Sequence, residues 1–295
     1  MNYPNLLIVG AAKSGTTSLH EYLKQHPDIF MSTHKEPHFL INNEIGNKRI
    51  HRGVIKEIDY TRLFITQDEY IYKGESSVMY LMFPEITIPN IKKYLGEETR
   101  IIIMLRNPIE RAYSGYLHNI RYNSREKLSF EEAIDISEER YHRMRDMTPA
   151  TRYLELGLYY KQVKAFKENF QYVHIILYDD YVKSIDLVLD KLFNFLNLDS
   201  VKIDTSKRHM TGGWKWKSYF MRGVLIPDNN LKSLFKFLLP ISFLRRYIKK
   251  WLLKLSTNKQ DSMNPNTKKK LINFYKKDIR NLSEYLERDL SCWLN

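Results

Sequence analysis

The chain has 295 residues, a formal net charge of +13 at pH 7 and 43% hydrophobic residues. Its length suits one α/β domain with insertions, and its single cysteine, Cys292, excludes an internal disulfide framework. The positive charge favours an anionic ligand, and nucleic acid ranks low because no helix-turn-helix, zinc-finger or RNP signature is present.

The first predicted strand ends in a loop of small residues. Leu6–Val9 is an apolar run, Gly10 ends it, and the sequence GAAKSGTTS leads into a helix predicted over 16–25. Backbone N–H groups at such a helix start bind anions, so the loop predicts a phosphate or sulfate site. Its candidate residues are Lys13, Ser14, Gly15, Thr16, Thr17 and Ser18. The Walker pattern G-x-x-x-x-G-K-[ST] fits only in part, because Thr16 stands where its lysine belongs, and a plain turn capped by hydroxyl groups is the alternative.

A second short strand, Ile29–Met31, precedes the tetrad KEPH at 35–38. Pro37 predicts an extended backbone at Glu36, whose carboxylate is a candidate general base. An ordinary solvated loop is the alternative interpretation of this tetrad.

A third predicted strand, 70–75, runs into the sequence GESSVMYL at 74–81. The alternative for Glu75 and Tyr80 is a partly buried strand end without a role in chemistry. A short helix is predicted over 86–95.

The next predicted strand is the apolar run 101–105, which is typical of a strand buried on both faces of a parallel sheet. Asn107 and Pro108 are a good N-cap and first residue for the helix that follows. Arg106 leaves the carboxyl end of the strand, where open α/β sheets bind ligands, and its planar guanidinium suits a phosphate. A surface ion pair is the alternative for Arg106, and a hydrogen bond within the helix is the alternative for Ser114.

Two of these segments together resemble the sulfotransferases that use 3′-phosphoadenosine 5′-phosphosulfate (PAPS). The 5′-phosphosulfate loop of that family is similar to G-x-x-K-[SG]-G-T-[TS], which residues 10–17 fit. Residues 100–114 fit its second segment, a strand, an Arg and a helix with Ser eight positions later. The resemblance implies that Arg106 and Ser114 hold the 3′-phosphate of PAPS. It also implies that Lys13 neutralises the departing oxygen.

The tetrad resembles the branch of this family that sulfates sugars. In that branch a Glu at this place deprotonates the acceptor and a His two residues later assists, which implies these roles for Glu36 and His38. A saccharide or lipid-linked acceptor follows from the same resemblance. Such relatives often carry a catalytic Lys after the Glu of the G-E segment, where this chain has Ser76.

Weaker resemblances extend further along the chain. A strand is predicted over 173–178, and Tyr178 stands where relatives approach the adenine. Residues 207–215 resemble the late family loop that closes over the cofactor, which implies phosphate binding by Arg208 and loop closure by Trp214. An ordinary basic turn is the alternative there.

The segment 207–255 contains twelve Lys or Arg residues and one acid, Asp228, with apolar residues interleaved. This pattern suits peripheral contact with an anionic membrane or a polyanionic acceptor, and buried amphipathic helices are the alternative. The charged stretch 130–145 predicts a solvated helix, and 267–290 predicts a final amphipathic helix.

We therefore expect a single sulfotransferase-like α/β domain over 1–295, with a central parallel sheet flanked by helices in a P-loop-like nucleotide-binding architecture. The expected reaction is PAPS-dependent sulfotransfer that releases 3′,5′-diphosphoadenosine and requires no metal. The alternatives are a P-loop nucleotide kinase, which needs Mg²⁺ and an acidic residue where this chain has Arg106, and a non-catalytic polyanion-binding protein. With no signal peptide before the first strand, a cytoplasmic location is expected.

Overall fold

The computed structural model describes residues 2–50, 53–122, 126–207, 214–217, 257–259 and 261–295. Arg208 and most of the basic segment 207–255 lie outside these residues. Among the described helices, none has the length and apolar composition needed to span a bilayer.

A five-stranded parallel sheet forms the centre of the described fold. Its strands lie in the order β2-β3-β1-β4-β5, and in register Leu7 of β1 pairs with Glu75 on one side and Ile101 on the other. The predicted parallel sheet is thus confirmed. The strands are β1 (Leu6–Gly10), β2 (Ile29–Met31), β3 (Tyr72–Ser76), β4 (Arg100–Leu105) and β5 (Val173–Leu177).

Helices cover both faces of this sheet. Their bounds are α1 (Thr16–Leu23), α2 (Phe39–Ile45), α3 (Glu57–Arg62), α4 (Pro84–Tyr94), α5 (Pro108–Tyr122), α6 (Phe130–Asp135), α7 (Ser137–Arg143), α8 (Tyr159–Asn169), α9 (Tyr178–Lys183), α10 (Ile185–Phe195) and α11 (Pro265–Leu286). A separate antiparallel ribbon pairs β6 (Trp214–Trp216) with β7 (Thr257–Lys259).

Alternate residues of β1 face the two hydrophobic clusters. Leu7 and Val9 pack with α4, α5, α8 and α11, while Leu6 and Ile8 pack with α1, α9 and α10. Side chains of a strand point alternately to opposite faces, so a continuous apolar run serves both layers at once. The sheet is therefore fixed from both sides, and its carboxyl edge forms a firm base for the loops that follow the strands.

Several predicted helix bounds need correction. The first helix ends at Leu23, two residues before the predicted end, and the stretch 130–145 is two helices rather than one. A capping box starts the first of these, in which Ser129 and Glu132 each bond the backbone N–H of the other. The final helix begins at Pro265 because Asn264 accepts a hydrogen bond from the N–H of Asn266, and it ends at Leu286 instead of 290.

Candidate active site

A cavity of about 990 Å³ opens at the carboxyl ends of the strands. The loops after β1, β2, β4 and β5 all contribute to it, as does one face of α5. The predicted site residues on its wall are Lys13, Gly15, Thr16, Thr17, Ser18, Glu36, Arg106, Ser114 and Tyr178. Ser14 and His38 are buried behind this surface, and Trp214 is not on it.

The loop after β1 has a backbone that needs glycine. Gly15 is the N-cap of α1 with φ +92°, and a Cβ atom there would lie 3.2 Å from the Tyr178 ring. The N–H of Ala11 donates to the carbonyl of Met104 at 2.7 Å, which ties the loop to β4. The N-terminus of α1 consequently points its backbone N–H groups into the cavity, as an anion site requires.

The three predicted catalytic residues share an unusual backbone conformation. Lys13, Glu36 and His38 have φ values of 70°, 63° and 50°. In the described chain they are three of the five non-glycine residues with positive φ. Such a conformation costs about 1–2 kcal/mol per residue, so the surrounding fold must enforce it. The expected extended conformation of Glu36 is wrong, because its N–H donates to the carbonyl of Ser76 at 3.0 Å and turns the chain toward the cavity.

Lys13 lies in a strongly positive setting. Its Nζ is 3.4 Å from Nδ1 of His118. Burial and the charge of Arg121 lower the pKa of Lys13 to about 8, against the opposing effect of Glu36. Burial and the charge of Lys13 lower the pKa of His118 to about 4. The imidazole is therefore neutral near pH 7 and accepts a hydrogen bond from the ammonium group.

Glu36 is held ionised. Lys35 Nζ lies 2.7 Å from one carboxylate oxygen and His38 Nε2 lies 3.6 Å from the other. Burial would raise the pKa of Glu36, but His38 and Lys35 hold it well below its usual range. The Glu36 side chain is 40% exposed and lines the cavity, so it can reach a substrate. His38 supports it from behind and does not line the cavity.

A buried carboxylate fixes the position of His38. Glu75 is fully buried and accepts hydrogen bonds from the hydroxyls of Tyr60, Tyr80 and Ser77 at 3.0, 2.8 and 2.6 Å. The Ser77 hydroxyl in turn accepts the backbone N–H of His38 at 3.0 Å. Glu75 is thus a fully buried anchor, whereas the alternative interpretation was a partly buried strand end. Ser76 points away, since its hydroxyl lies 2.8 Å from buried His20.

Arg106 and Tyr178 lie together on the cavity wall, with the Tyr178 ring beside Gly15. The Arg106 guanidinium pairs with Glu110 at 2.8 Å and stacks 4.9 Å from the centre of the Tyr178 ring. Tyr178 lies 6.3 Å from Tyr181, which lies 6.5 Å from Tyr22. The ion pair expected as the alternative for Arg106 is present, and the same side chain still lines the cavity.

Sequence reasoning missed two cationic or titratable residues of the cavity, His118 and Arg121. Both follow Ser114 on α5 at spacings of four and seven residues, so all three share one helix face. That spacing was the available signal. We call residues 10–18 with Glu36 the loop wall, and Ser114, His118 and Arg121 the helix wall.

This chain is similar in sequence and in fold to known proteins. Residues 3–214 match a family model described as "Sulfotransferase domain". The chain belongs to the sulfotransferase family. A crystal structure of a sulfotransferase from Alicyclobacillus acidocaldarius covers 100% of both chains with 28% identity and a TM-score of 0.76.

Two curated relatives of this sulfotransferase are named for carbohydrate substrates. Human carbohydrate sulfotransferase 15 is 26% identical over 66% of this chain and 44% of its own length. Bifunctional heparan sulfate N-deacetylase/N-sulfotransferase 1 of Xenopus tropicalis is 28% identical over 60% of this chain and 20% of its own length. The chain thus spans less than half the length of these relatives. In the described ranges, no group of three or more His, Cys, Asp or Glu side chains is arranged to hold a metal ion.

Proposed function

We propose that this sulfotransferase moves the sulfuryl group of PAPS to a hydroxyl or amine of a saccharide or lipid-linked saccharide. The observation that carries the proposal is that one cavity joins the loop wall, the pair Arg106 and Ser114, and Tyr178. A donor with two anionic ends and an aromatic base needs these three kinds of contact in one place. The roles of the individual residues are part of this proposal.

The donor is bound at three points. The N–H groups at the start of α1 and the Lys13 ammonium receive the 5′-phosphosulfate, as in other helix-terminus anion sites. Arg106 and Ser114 receive the 3′-phosphate, for which a planar guanidinium is well suited. Tyr178 supplies an aromatic face for the adenine.

The transfer step uses two residues of the loop wall. PAPS supplies an activated sulfuryl group. Glu36 takes the proton of the acceptor as its oxygen or nitrogen forms the new bond to sulfur. The bond between sulfur and the bridging phosphate oxygen breaks, and Lys13 neutralises the charge that collects on 3′,5′-diphosphoadenosine. Glu36 is ionised near neutral pH, so its carboxylate can accept a proton, while the neighbours that lower its pKa also make it a weaker base.

The saccharide acceptor is supported by the relatives named for carbohydrate sulfation. The charge of the segment 207–255 supports a further proposal, peripheral contact with an anionic membrane. Flotation with anionic liposomes at low salt tests this contact, and absence of binding there would remove it.

Calorimetric titration with 3′,5′-diphosphoadenosine and with ATP·Mg²⁺ tests the donor assignment. Tight binding of the first alone, lost in Arg106→Gln, is the expected result. Preference for ATP·Mg²⁺ would instead indicate a nucleotide kinase, and binding of neither would leave a polyanion-binding protein. Transfer of labelled sulfate from PAPS to a panel of sugars, lipids and phenols then identifies the acceptor class.

A further inference from the structure

Arg121 lies on the cavity wall near the C-terminal end of α5, two helical turns beyond Ser114. It is one turn beyond His118, whose ring contacts the Lys13 ammonium at 3.4 Å. Although the residue is only 6% exposed, it belongs to the surface of the cavity. The helix wall therefore places the Arg121 guanidinium on the same cavity as Lys13.

Strand β6, which carries Trp214 and Trp216, holds Arg121 in place. The Nε of Arg121 donates to the carbonyl of Trp214 at 2.7 Å, and the Arg121 guanidinium lies 5.1 Å from the centre of the Trp214 ring. In return, the indole N–H of Trp216 donates to the Arg121 carbonyl at 3.2 Å. A side chain fixed through backbone and ring contacts is pre-organised, which is what electrostatic stabilisation of a transferring group requires.

The charges of Arg121 and Lys13 act on each other. After burial itself, Arg121 is the strongest influence that lowers the pKa of Lys13, ahead of Arg106 and Lys35. Two like charges close together in a buried site raise the free energy of the protein. An anionic group bound beside both of them removes that cost, so the pair is suited to an anion at the Lys13 end of the cavity.

We propose that Arg121 contacts the sulfuryl oxygens of PAPS as a second cation beside Lys13, and that Trp214 positions it. This inference rests on the proposed PAPS reaction. Position 76 does not supply such a cation, because Ser76 is buried and its hydroxyl lies against His20. The planar guanidinium can donate two parallel hydrogen bonds to sulfuryl oxygens, and it keeps its charge at every pH at which Lys13 titrates.

The inference is tested without an acceptor by comparing two nucleotides. PAPS and 3′,5′-diphosphoadenosine carry nearly the same charge and differ by the sulfuryl group, so the ratio of their Kd values reports contacts to that group. We expect Arg121→Gln to raise the Kd for PAPS by about tenfold, because one charge-assisted contact is lost. The Kd for 3′,5′-diphosphoadenosine should stay unchanged within about twofold. Arg121→Lys should raise the Kd for PAPS less, since lysine keeps the charge and lacks only the planar guanidinium.

Lys268→Gln is the matched control, because Lys268 lines the same cavity from α11 and its loss removes the same charge. It should change both Kd values by the same factor. If Arg121→Gln changes the Kd values of both nucleotides equally, or changes neither, the assignment of Arg121 is overturned. Should Arg121→Gln fail to fold, an unaltered Kd ratio in Arg121→Lys and in Trp214→Ala would overturn it equally. A wild-type protein that binds neither nucleotide would instead overturn the proposed function.

Discussion

The loop wall and the helix wall of the cavity are built by different means. On the loop wall, the backbone places the chemistry: Lys13 and Glu36 have left-handed φ values, and Gly15 begins α1 at φ +92°. On the helix wall, the backbone is ordinary α-helix, and periodicity alone aligns Ser114, His118 and Arg121. One wall depends on a strained local conformation and the other on side-chain identity.

The two walls are therefore sensitive to different kinds of substitution. A change at the loop wall alters both the direction of backbone N–H groups and a catalytic side chain. A change at the helix wall leaves the scaffold intact and removes one contact, because substitutions on a regular helix face preserve the helix.

Glu36→Gln should lower kcat by about 10²–10⁴-fold, because the amide cannot accept the acceptor proton. The affinity for 3′,5′-diphosphoadenosine should remain, since Glu36 faces the acceptor. Steady-state kinetics and calorimetry measure the two quantities. Glu139→Gln, on the exposed surface of α7, is the matched control and should behave as wild type. Turnover of Glu36→Gln at the wild-type rate would show that another group is the base.

Lys13→Ala should lower kcat by about 10²–10³-fold, the usual effect of removing one pre-organised donor at a developing negative charge. The variant should fold normally, because alanine replaces lysine without altering the backbone requirement at φ 70°. Single-turnover kinetics and a thermal melt check both parts. A wild-type rate would place the transferring group elsewhere in the cavity.

The pH dependence of kcat/KM for PAPS should show the lowered pKa of Lys13. The ammonium is charged below pH 8 and neutral above it, so kcat/KM should fall by about tenfold per unit once the pH passes about 8. In Lys13→Arg the fall should move to higher pH, because a guanidinium stays charged. An unchanged alkaline limb in that variant would assign the ionisation to another group.

Gly15→Ala should weaken 3′,5′-diphosphoadenosine binding by about tenfold, which corresponds to a conformational cost of about 1–2 kcal/mol at positive φ. The added Cβ would also lie 3.2 Å from the Tyr178 ring. Gly46→Ala is the control for backbone strain outside the cavity, because Gly46 has φ +90° and nothing lies within 4 Å of the added Cβ atom. It should lose stability and keep its affinity for the nucleotide. If both variants lose nucleotide affinity equally, the backbone of the loop wall has no specific role in binding the nucleotide.

At low pH, where its carboxyl group is protonated, Asp278→Ala should lower the free energy of unfolding by about 1 kcal/mol, the usual value of a helix cap. Asp278 on α11 accepts the N–H groups of Tyr159 and Tyr160 at 2.7 and 3.2 Å, at the start of α8. Burial raises the pKa of Asp278 to about 6, so its contribution to stability falls as pH rises toward and through 6. Asp278→Asn keeps the acceptor without the charge and should be at least as stable as wild type above pH 6. Urea unfolding at two pH values checks this, and a less stable Asn variant would contradict it.

The centre of the sheet could be predicted because β1 and β4 contain continuous apolar runs. Strands β1 and β4 are buried on both faces, which leaves little ambiguity in such a run. Helix ends were less predictable, since caps such as Ser129 and Asn264 compete with propensity over one or two residues. The conformation of Glu36 could not be predicted from Pro37, because the N–H of Glu36 donates to the carbonyl of Ser76, which lies far away in sequence.

The loop of residues 10–18 and the segment 100–114, with its strand, Arg106 and Ser114, could be recognised from the amino-acid sequence. Both are local patterns of consecutive residues. The packing of the chain brings Glu36, His118 and Arg121 to the same cavity as Lys13, and burial there lowers the pKa of Lys13 to about 8. These residues come from loops after two different strands and from helix α5, so their shared electrostatic environment arises only when the sheet and its helices pack together.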